Sequence, residues 1–306
     1  MQSALQTAGR EAARIADIYF WMSAGGAVIW LAVIAIALFA SRTPRQPTHR
    51  ASIWTIAGGG VIFPVAVLLL LMFIGFSELP HIIRPAADDR MRLEITGHQW
   101  WWRVKYVRPS QAPIELANEI RLPVGRRVDA LLASRDVVHS FWIPPIAGKL
   151  DLIPGRINRL PLEPTRTGTF RGACAEFCGA SHARMNFIVE VMEGGAFDRW
   201  LERQSQPASA PGDAVAQRGH AAFLEHGCST CHTVRGAGAF GVEGPDLTHV
   251  GSRRTIAAGQ LPAEPEHFRQ WISTSEILKP GAHMPAFAGL PDETLAALAA
   301  YLTQLQ

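Results

Sequence analysis

Charge is missing from two long stretches of this chain: neither Ile18–Ser41 nor Ser52–Ser77 holds an Asp, Glu, Lys or Arg. Each run exceeds the roughly 20 residues an α-helix needs to cross a bilayer, which argues against a purely water-soluble protein. A secretory signal peptide is the alternative for the first run. That run is longer than a signal core of about 7–15 residues, and no Ala-x-Ala site follows it. Cysteine is scarce, with four in 306 residues. Two short motifs use all four, which leaves none for a disulfide framework. The net charge is only +3. There is no basic stripe, no Gly-rich phosphate loop, no nucleic-acid motif and no internal repeat, so neither nucleic acid nor a nucleotide is expected as a partner.

What is present begins with a hairpin. The loop between the charge-free runs carries Arg42, Arg45 and Arg50 and no acid. Positive loops stay in the cytoplasm, which places both termini and everything after residue 78 on the outer face. Transmembrane helices over about 17–41 and 52–77 make residues 1–80 a helical hairpin. From 81 to 203 short runs with alternating or β-branched content recur: Met91–Thr96, Ile114–Arg121, Arg127–Leu132, Arg156–Leu162, Gly168–Arg171 and Phe187–Met192. Pro and Gly punctuate them, as in a sandwich or barrel, and a helix at Ala196–Arg203 closes the domain. Residues 204–212 are polar and rich in Pro, Ala and Ser and read as a linker. The last domain, 213–306, opens with a helical run over Ala214–His226. It ends on Asp292–Leu305, where Leu295, Leu298, Ala299, Leu302 and Leu305 fall on one helix face.

The chemistry concentrates in Cys174-Ala-Glu176-Phe-Cys178-Gly-Ala-Ser-His182-Ala-Arg-Met185, with His139 upstream. Thiolate and thioether are soft ligands that suit copper(I), and imidazole suits copper in either state. Zinc has no use for the thioether and prefers closed Cys/His sets. A Cys174–Cys178 disulfide with bystander His and Met remains the alternative. Two cysteines with three residues between them on a tight loop can bridge two metals, and a pair so held takes up one electron with little geometric change. The second motif, Cys228-Ser-Thr-Cys231-His232, is the attachment pattern of a c-type haem.

The chain resembles subunit II of the haem–copper cytochrome c oxidases. Four stretches carry the likeness in order: Thr96-Gly-His98-Gln-Trp100-Trp-Trp102, Asp136-Val-Val-His139-Ser, Pro144 through Asp151-Leu-Ile-Pro154-Gly155-Arg156-Ile-Asn158, and Gly172 through Met185. The resemblance implies a cupredoxin-like β-sandwich behind a transmembrane hairpin, and the dinuclear centre called copper A. It implies His139, Cys174, Cys178, His182, Met185 and the Glu176 carbonyl as copper ligands. It makes the Glu176 carboxylate a candidate for an interfacial magnesium ion and Trp100 the point of electron entry. Trp101 reads as a packed strand residue and part of an aromatic belt at the bilayer surface rather than as a point of electron entry. Asp151 reads equally as part of the donor surface or as a turn residue before Pro154-Gly155. In many members a glutamate stands three residues before the Trp that opens the second membrane helix; here that position is Ala51, ahead of Trp54.

The C-terminal domain resembles class I cytochromes c, an all-α fold, through its first helix, the haem motif, Gly244-Pro-Asp-Leu247, Met284-Pro285 and the last helix. Cys228 and Cys231 then form the thioethers and His232 is the proximal ligand. Met284, the only methionine of this domain, is the second axial ligand, with His283 as its rival. Met/His ligation raises a haem potential. His220, His226, His249 and His267 read as solvated surface residues.

The function expected is an electron relay in a proton-translocating terminal oxidase. Haem c passes an electron to copper A and on to subunit I, where oxygen is reduced to water, and this chain does electron transfer only. The expected partners are subunit I, other oxidase subunits, the membrane, and a donor that is cytochrome c or a quinol–cytochrome c reductase. The expected location is a bacterial-type inner membrane with the copper and haem domains periplasmic. The electron-entry subunit of a membrane nitric oxide reductase is the alternative. A copper-storage or sensor protein fits the ligands but not the hairpin and haem domain, and a quinol oxidase subunit would lack the copper ligands.

Overall fold

Both charge-free runs fold as helices. The computed structural model describes residues 2–43, 48–83 and 91–306. Arg45, in the loop read as cytoplasmic, and residues 84–90, early in the expected copper domain, lie outside them. Helix α1 is Arg10–Arg42, and its 33 residues reach about 50 Å at 1.5 Å per residue. The second helical run comprises α2 (His49–Ala57), a π-helical turn (Gly58–Ile62) and α3 (Phe63–Ile83). Thr48 caps α2 by accepting the Ala51 N–H at 3.3 Å. The π turn falls on three successive glycines just ahead of Pro64, whose missing N–H breaks the regular ladder. Both runs extend beyond the expected 17–41 and 52–77, because a scan for charge finds the apolar part of a helix and not its ends. Residues 14–85 form a unit of their own, with Trp21, Phe39 and Phe73 exposed. Two helices here are long and apolar enough to span a bilayer.

The other unit joins residues 1–13 to 86–306. Its first part is a sandwich of ten strands: β1 (Arg92–His98), β2 (Trp101–Val107), β3 (Ile114–Ala117), β4 (Glu119–Pro123), β5 (Val128–Ser134), β6 (His139–Trp142), β7 (Leu150–Leu152), β8 (Asn158–Leu162), β9 (Gly168–Cys174) and β10 (Asn186–Met192). One sheet has the order β3-β2-β1-β5-β8 and the other β4-β10-β9-β6-β7. Alternate residues of β1 and β2 face inward, and Leu93, Ile95, Trp102, Val104 and Tyr106 are fully buried. Trp102 packs edge-on against Phe141 and Phe187, at centroid distances of 5.6 and 5.3 Å. Each such burial contributes roughly 1.5–3 kcal/mol.

The single strand expected over Ile114–Arg121 is two. Asn118 has a positive φ of 58°, its N–H donates to Trp102 O at 3.0 Å, and its Oδ1 accepts the Trp102 N–H at 2.8 Å. That reciprocal pair lets the chain cross from one sheet to the other. Helix α4 (Gly194–Ser205) closes the sandwich, burying Phe197, Trp200 and Leu201.

The last part is built on α5 (Ala214–Glu225), a single turn α6 (Cys228–Cys231), α7 (Pro265–Leu278) and α8 (Asp292–Gln304). Two short ladders, β11–β12 at 233–240 and β13–β14 at 255–262, accompany them. Helices α5 and α8 touch backbone to backbone: a Cβ on Gly219 would stand 1.9 Å from Ala297 O. Asp213 caps α5 through the Val215 and Ala216 N–H groups and accepts from Gln304 Nε2 at 2.6 Å, which ties the two helices together. The α8 face read from the sequence is the buried one. Residues 206–213 carry no helix or strand, and Ala208 N–H donates to Arg235 O at 2.8 Å within the cytochrome part.

Candidate functional site

The second sheet delivers the soft ligands to one end of the sandwich. His139 opens β6, Cys174 ends β9, and Met185 immediately precedes β10. The ladder pairs Phe141 with Cys174, so His139 and Cys174 emerge side by side. Cys174 Sγ and Cys178 Sγ stand 3.8 Å apart, far beyond the roughly 2.05 Å of a disulfide. Cys174 Sγ lies 3.9 Å from His139 Nδ1 and 3.2 Å from Glu176 O. Cys178 Sγ lies 3.6 Å from His182 Nδ1 and 3.9 Å from Met185 Sδ. The structure therefore gathers every candidate copper ligand around one sulfur pair.

His139 is fully buried, and its Nε2 hydrogen-bonds Asp136 Oδ1 at 2.8 Å, which leaves Nδ1 turned to the sulfurs. Asp136 Oδ2 also accepts the Gln99 N–H at 2.7 Å. Burial pulls the His139 imidazolium down, and its hydrogen bonds to Cys174 and Asp136 more than reverse this, so it is raised. The hydrogen bond from Cys178 holds the Cys174 thiol down at about 3, and the same contact pushes Cys178 up. One proton is thus readily lost from the sulfur pair. The Glu176 carboxylate is half exposed and 4.0 Å from Lys149 Nζ. Asp151 pairs with Ser140 across β6 and β7.

The cytochrome part encloses a cavity of about 770 Å³. Cys228, Cys231, His232 and Met284 line it, and so do Trp100 and Trp101 from the sandwich. His232 Nδ1–H donates to Pro245 O at 2.8 Å, freeing Nε2 as a lone-pair donor, and burial lowers its imidazolium. Gly244 permits this ring position, since a Cβ there would lie 2.6 Å from the ring. Ser275 Oγ–H donates to Met284 O at 3.0 Å and steadies the other side. His283 also lines the cavity but is exposed. Two buried polar atoms on lining residues, Arg253 Nε and Thr255 Oγ1, have no hydrogen-bond partner among the described residues. A haem suits these walls: two thiols for its vinyl groups, nitrogen and sulfur for its iron, and a buried guanidinium for a carboxylate.

One further histidine reading needs correction. His249 is buried, not solvated, because its Nε2 bonds Gln206 O at 3.0 Å where the chain enters the cytochrome part. His220, His226 and His267 are half-buried; His220 packs against Tyr301.

Trp100 lies between the two ligand sets. Its indole N–H donates to Cys178 O at 2.9 Å, beside Gln99 Nε2 at 2.8 Å to the same oxygen. Its far edge covers Gly281, where a Cβ would come within 2.8 Å of the ring. Ser181 Oγ–H donates to Pro280 O at 2.8 Å, joining the Cys178–His182 loop to the loop that carries Met284. Arg254 N–H to Glu119 Oε2 (2.9 Å) and Asn186 N–H to Ala258 O (3.2 Å) extend the joint. Asp136 and Gln99 fall inside motifs of the sequence, but their supporting roles, and that of Gly281, appear only in the structure.

Two family models match this chain: "Cytochrome C oxidase subunit II, periplasmic domain" over residues 107–192 and "Cytochrome c" over 216–306. The cytochrome c oxidase subunit 2 of Alkalihalophilus pseudofirmus is 37% identical over 254 residues, which covers 80% of this chain and 71% of that one. The chain belongs to the cytochrome c oxidase subunit 2 family. The subunit 2 of Bacillus sp. PS3 is 30% identical over 287 residues, covering 87% of this chain and 78% of that one. A solved structure, the periplasmic domain of subunit II of Bradyrhizobium japonicum cytochrome oxidase, is 32% identical. It covers 40% of this chain and 96% of that one, with a TM-score of 0.36. As a cytochrome c oxidase subunit 2 with an added cytochrome c domain, the chain is a membrane-anchored part of an oxidoreductase. Its two domain types imply copper A and haem.

Proposed function

We propose that this subunit receives an electron at its haem c domain and relays it through Trp100 to copper A, from which subunit I draws it to reduce oxygen to water. The observation that carries this is Trp100, bonded to the copper loop at Cys178 O and seated against Gly281 in the Met284 loop. When bound, the haem and the copper pair each take up and release one electron. Everything else falls to the protein. Cys228 and Cys231 anchor the haem, and His232 and Met284 hold its iron. Cys174, Cys178, His139, His182, Met185 and the Glu176 carbonyl hold the two coppers. Burial of the sulfurs keeps water from them, and the Asp136–His139 hydrogen bond holds the imidazole in place.

The Glu176 carboxylate, half exposed at the edge of the copper loop beside Lys149, would share a magnesium ion with subunit I. The arginine-bearing loop at Arg42 and Arg50 belongs on the cytoplasmic side, which puts both redox domains in the periplasm. A soluble cytochrome c or a quinol–cytochrome c reductase supplies the electron.

The deciding experiment measures oxygen uptake and nitric oxide consumption by the purified complex side by side. Rapid oxygen uptake with little nitric oxide turnover is expected. The reverse would assign the subunit to a nitric oxide reductase.

A further inference from the structure

The wall between the two ligand sets holds a charged group that no ligand assignment uses. Lys279 caps the C-terminal end of α7 and is only 4% exposed. Its Nζ makes one long hydrogen bond, 3.4 Å to Ala257 O, and forms no ion pair among the described residues. Ala257 and Ala258 both hold positive φ, 53° and 60°. Their carbonyls serve the joint, Ala257 O toward Lys279 and Ala258 O toward the Asn186 N–H. The sandwich closes over Lys279 from the other side: Pro280, the next residue, accepts from Ser181, and Gly281 lies under Trp100. Cys178 and Arg184 of the copper loop are the charged or ionisable groups that bear on it. Its side chain lines the haem cavity.

Burial pulls this ammonium down to about 7, so it needs a nearby anion to hold its charge. Arg184 repels it, and no carboxylate pairs with it among the described residues. The cavity supplies the missing charge, because a c-type haem carries two carboxylates and the cavity wall holds two buried cations, Arg253 and Lys279. Arg253 lies beside Asp246 and donates to its backbone carbonyl. Lys279 has no acidic neighbour of that kind.

We propose that Lys279 is a positioning residue for the electron path: its ammonium, buried under the docked copper domain, holds a haem carboxylate at the interface and keeps the haem potential high. The sign follows from electrostatics. A fixed positive charge near the iron favours the reduced state, which carries one positive charge fewer. The proposal rests on the haem-to-copper reading above.

The test is a redox titration of the complete oxidase, following haem absorption and copper absorption in the same sample for wild type, Lys279→Met and Lys279→Arg. Lys279→Met is expected to raise the ferric-to-ferrous ratio at fixed poise about tenfold, a fall of about 59 mV for a one-electron couple. Lys279→Arg, which keeps the charge, is expected to stay near wild type. An unchanged haem potential in Lys279→Met, or an equal fall in both variants, overturns the proposal. If Lys279→Met does not assemble, Lys279→Gln keeps a polar head of similar length and carries the same expectation. A wild-type complex without covalent haem would instead sink the relay reading, so the two failures are distinguishable.

Discussion

Cys178 has the most to lose from a single change. Its sulfur lies within 3.6–3.9 Å of Cys174, His182 and Met185. Cys178→Ser replaces a soft thiolate that would hold copper with a hard hydroxyl, and metal analysis should show copper falling from two atoms per chain to one or none. One zinc and no copper in the wild type would defeat the copper reading altogether. Met284→His makes the complementary test at the haem. The thioethers at Cys228 and Cys231 keep the group attached, while an imidazole favours the ferric state. The midpoint potential should fall by a good part of the roughly 0.8 V range that axial ligands span. An unchanged potential would point to another axial ligand, His283 first. These residues are legible in a single sequence because thiols, thioethers and imidazoles are rare and their spacing is short. The groups that orient them are not. Gln99 meets Asp136 across 37 residues and Cys178 across 79, and pairs at such separations leave no local pattern.

At the scale of the elements, α5 and α8 meet with no room for a side chain at Gly219. Gly219→Leu would drive a side chain into Ala297 O and Tyr301. Overpacking of this kind costs about 1–3 kcal/mol, and haem-domain unfolding in denaturant should shift to a lower midpoint while the copper spectrum stays put. A midpoint equal to wild type would show that the helices can separate without loss. The α8 face could be read from its spacing, since three of its buried residues are leucines. Helix α7 has no such mark. It buries Phe268, Ile272 and the polar Ser275, and it is broken at Thr274, which has non-helical φ and ψ. Strands β6 and β7 run four and three residues, too short for an alternation to register. The Ile114–Pro123 segment looks continuous in sequence, because Asn118 marks a change of sheet only once Trp102 stands opposite it.

At the scale of the whole redox unit, the proposed relay rests on Trp100, which touches both ligand loops. Trp100→Phe removes the indole N–H that bonds Cys178 O, and Trp100→Ala also removes the ring that covers Gly281. Flash-induced reduction of the haem should then show slower transfer to copper, most in the Ala variant, with both absorption spectra unchanged. Equal rates in all three proteins would mean that the electron crosses elsewhere, with the Ser181–Pro280 bond as the next route. The sequence by itself determined the parts: two membrane-length helices, a Pro- and Gly-punctuated β domain, a haem motif and a copper loop. Each is written in local chemistry, by runs without charge, by period, or by ligands a few residues apart. Only the tertiary structure decided that the haem cavity takes part of its wall from the sandwich, that Trp100 joins both ligand loops, and that Lys279 and His249 are buried. Those facts arise where surfaces far apart in the chain close on each other and exclude water, and burial of that kind depends on what arrives from the other domain.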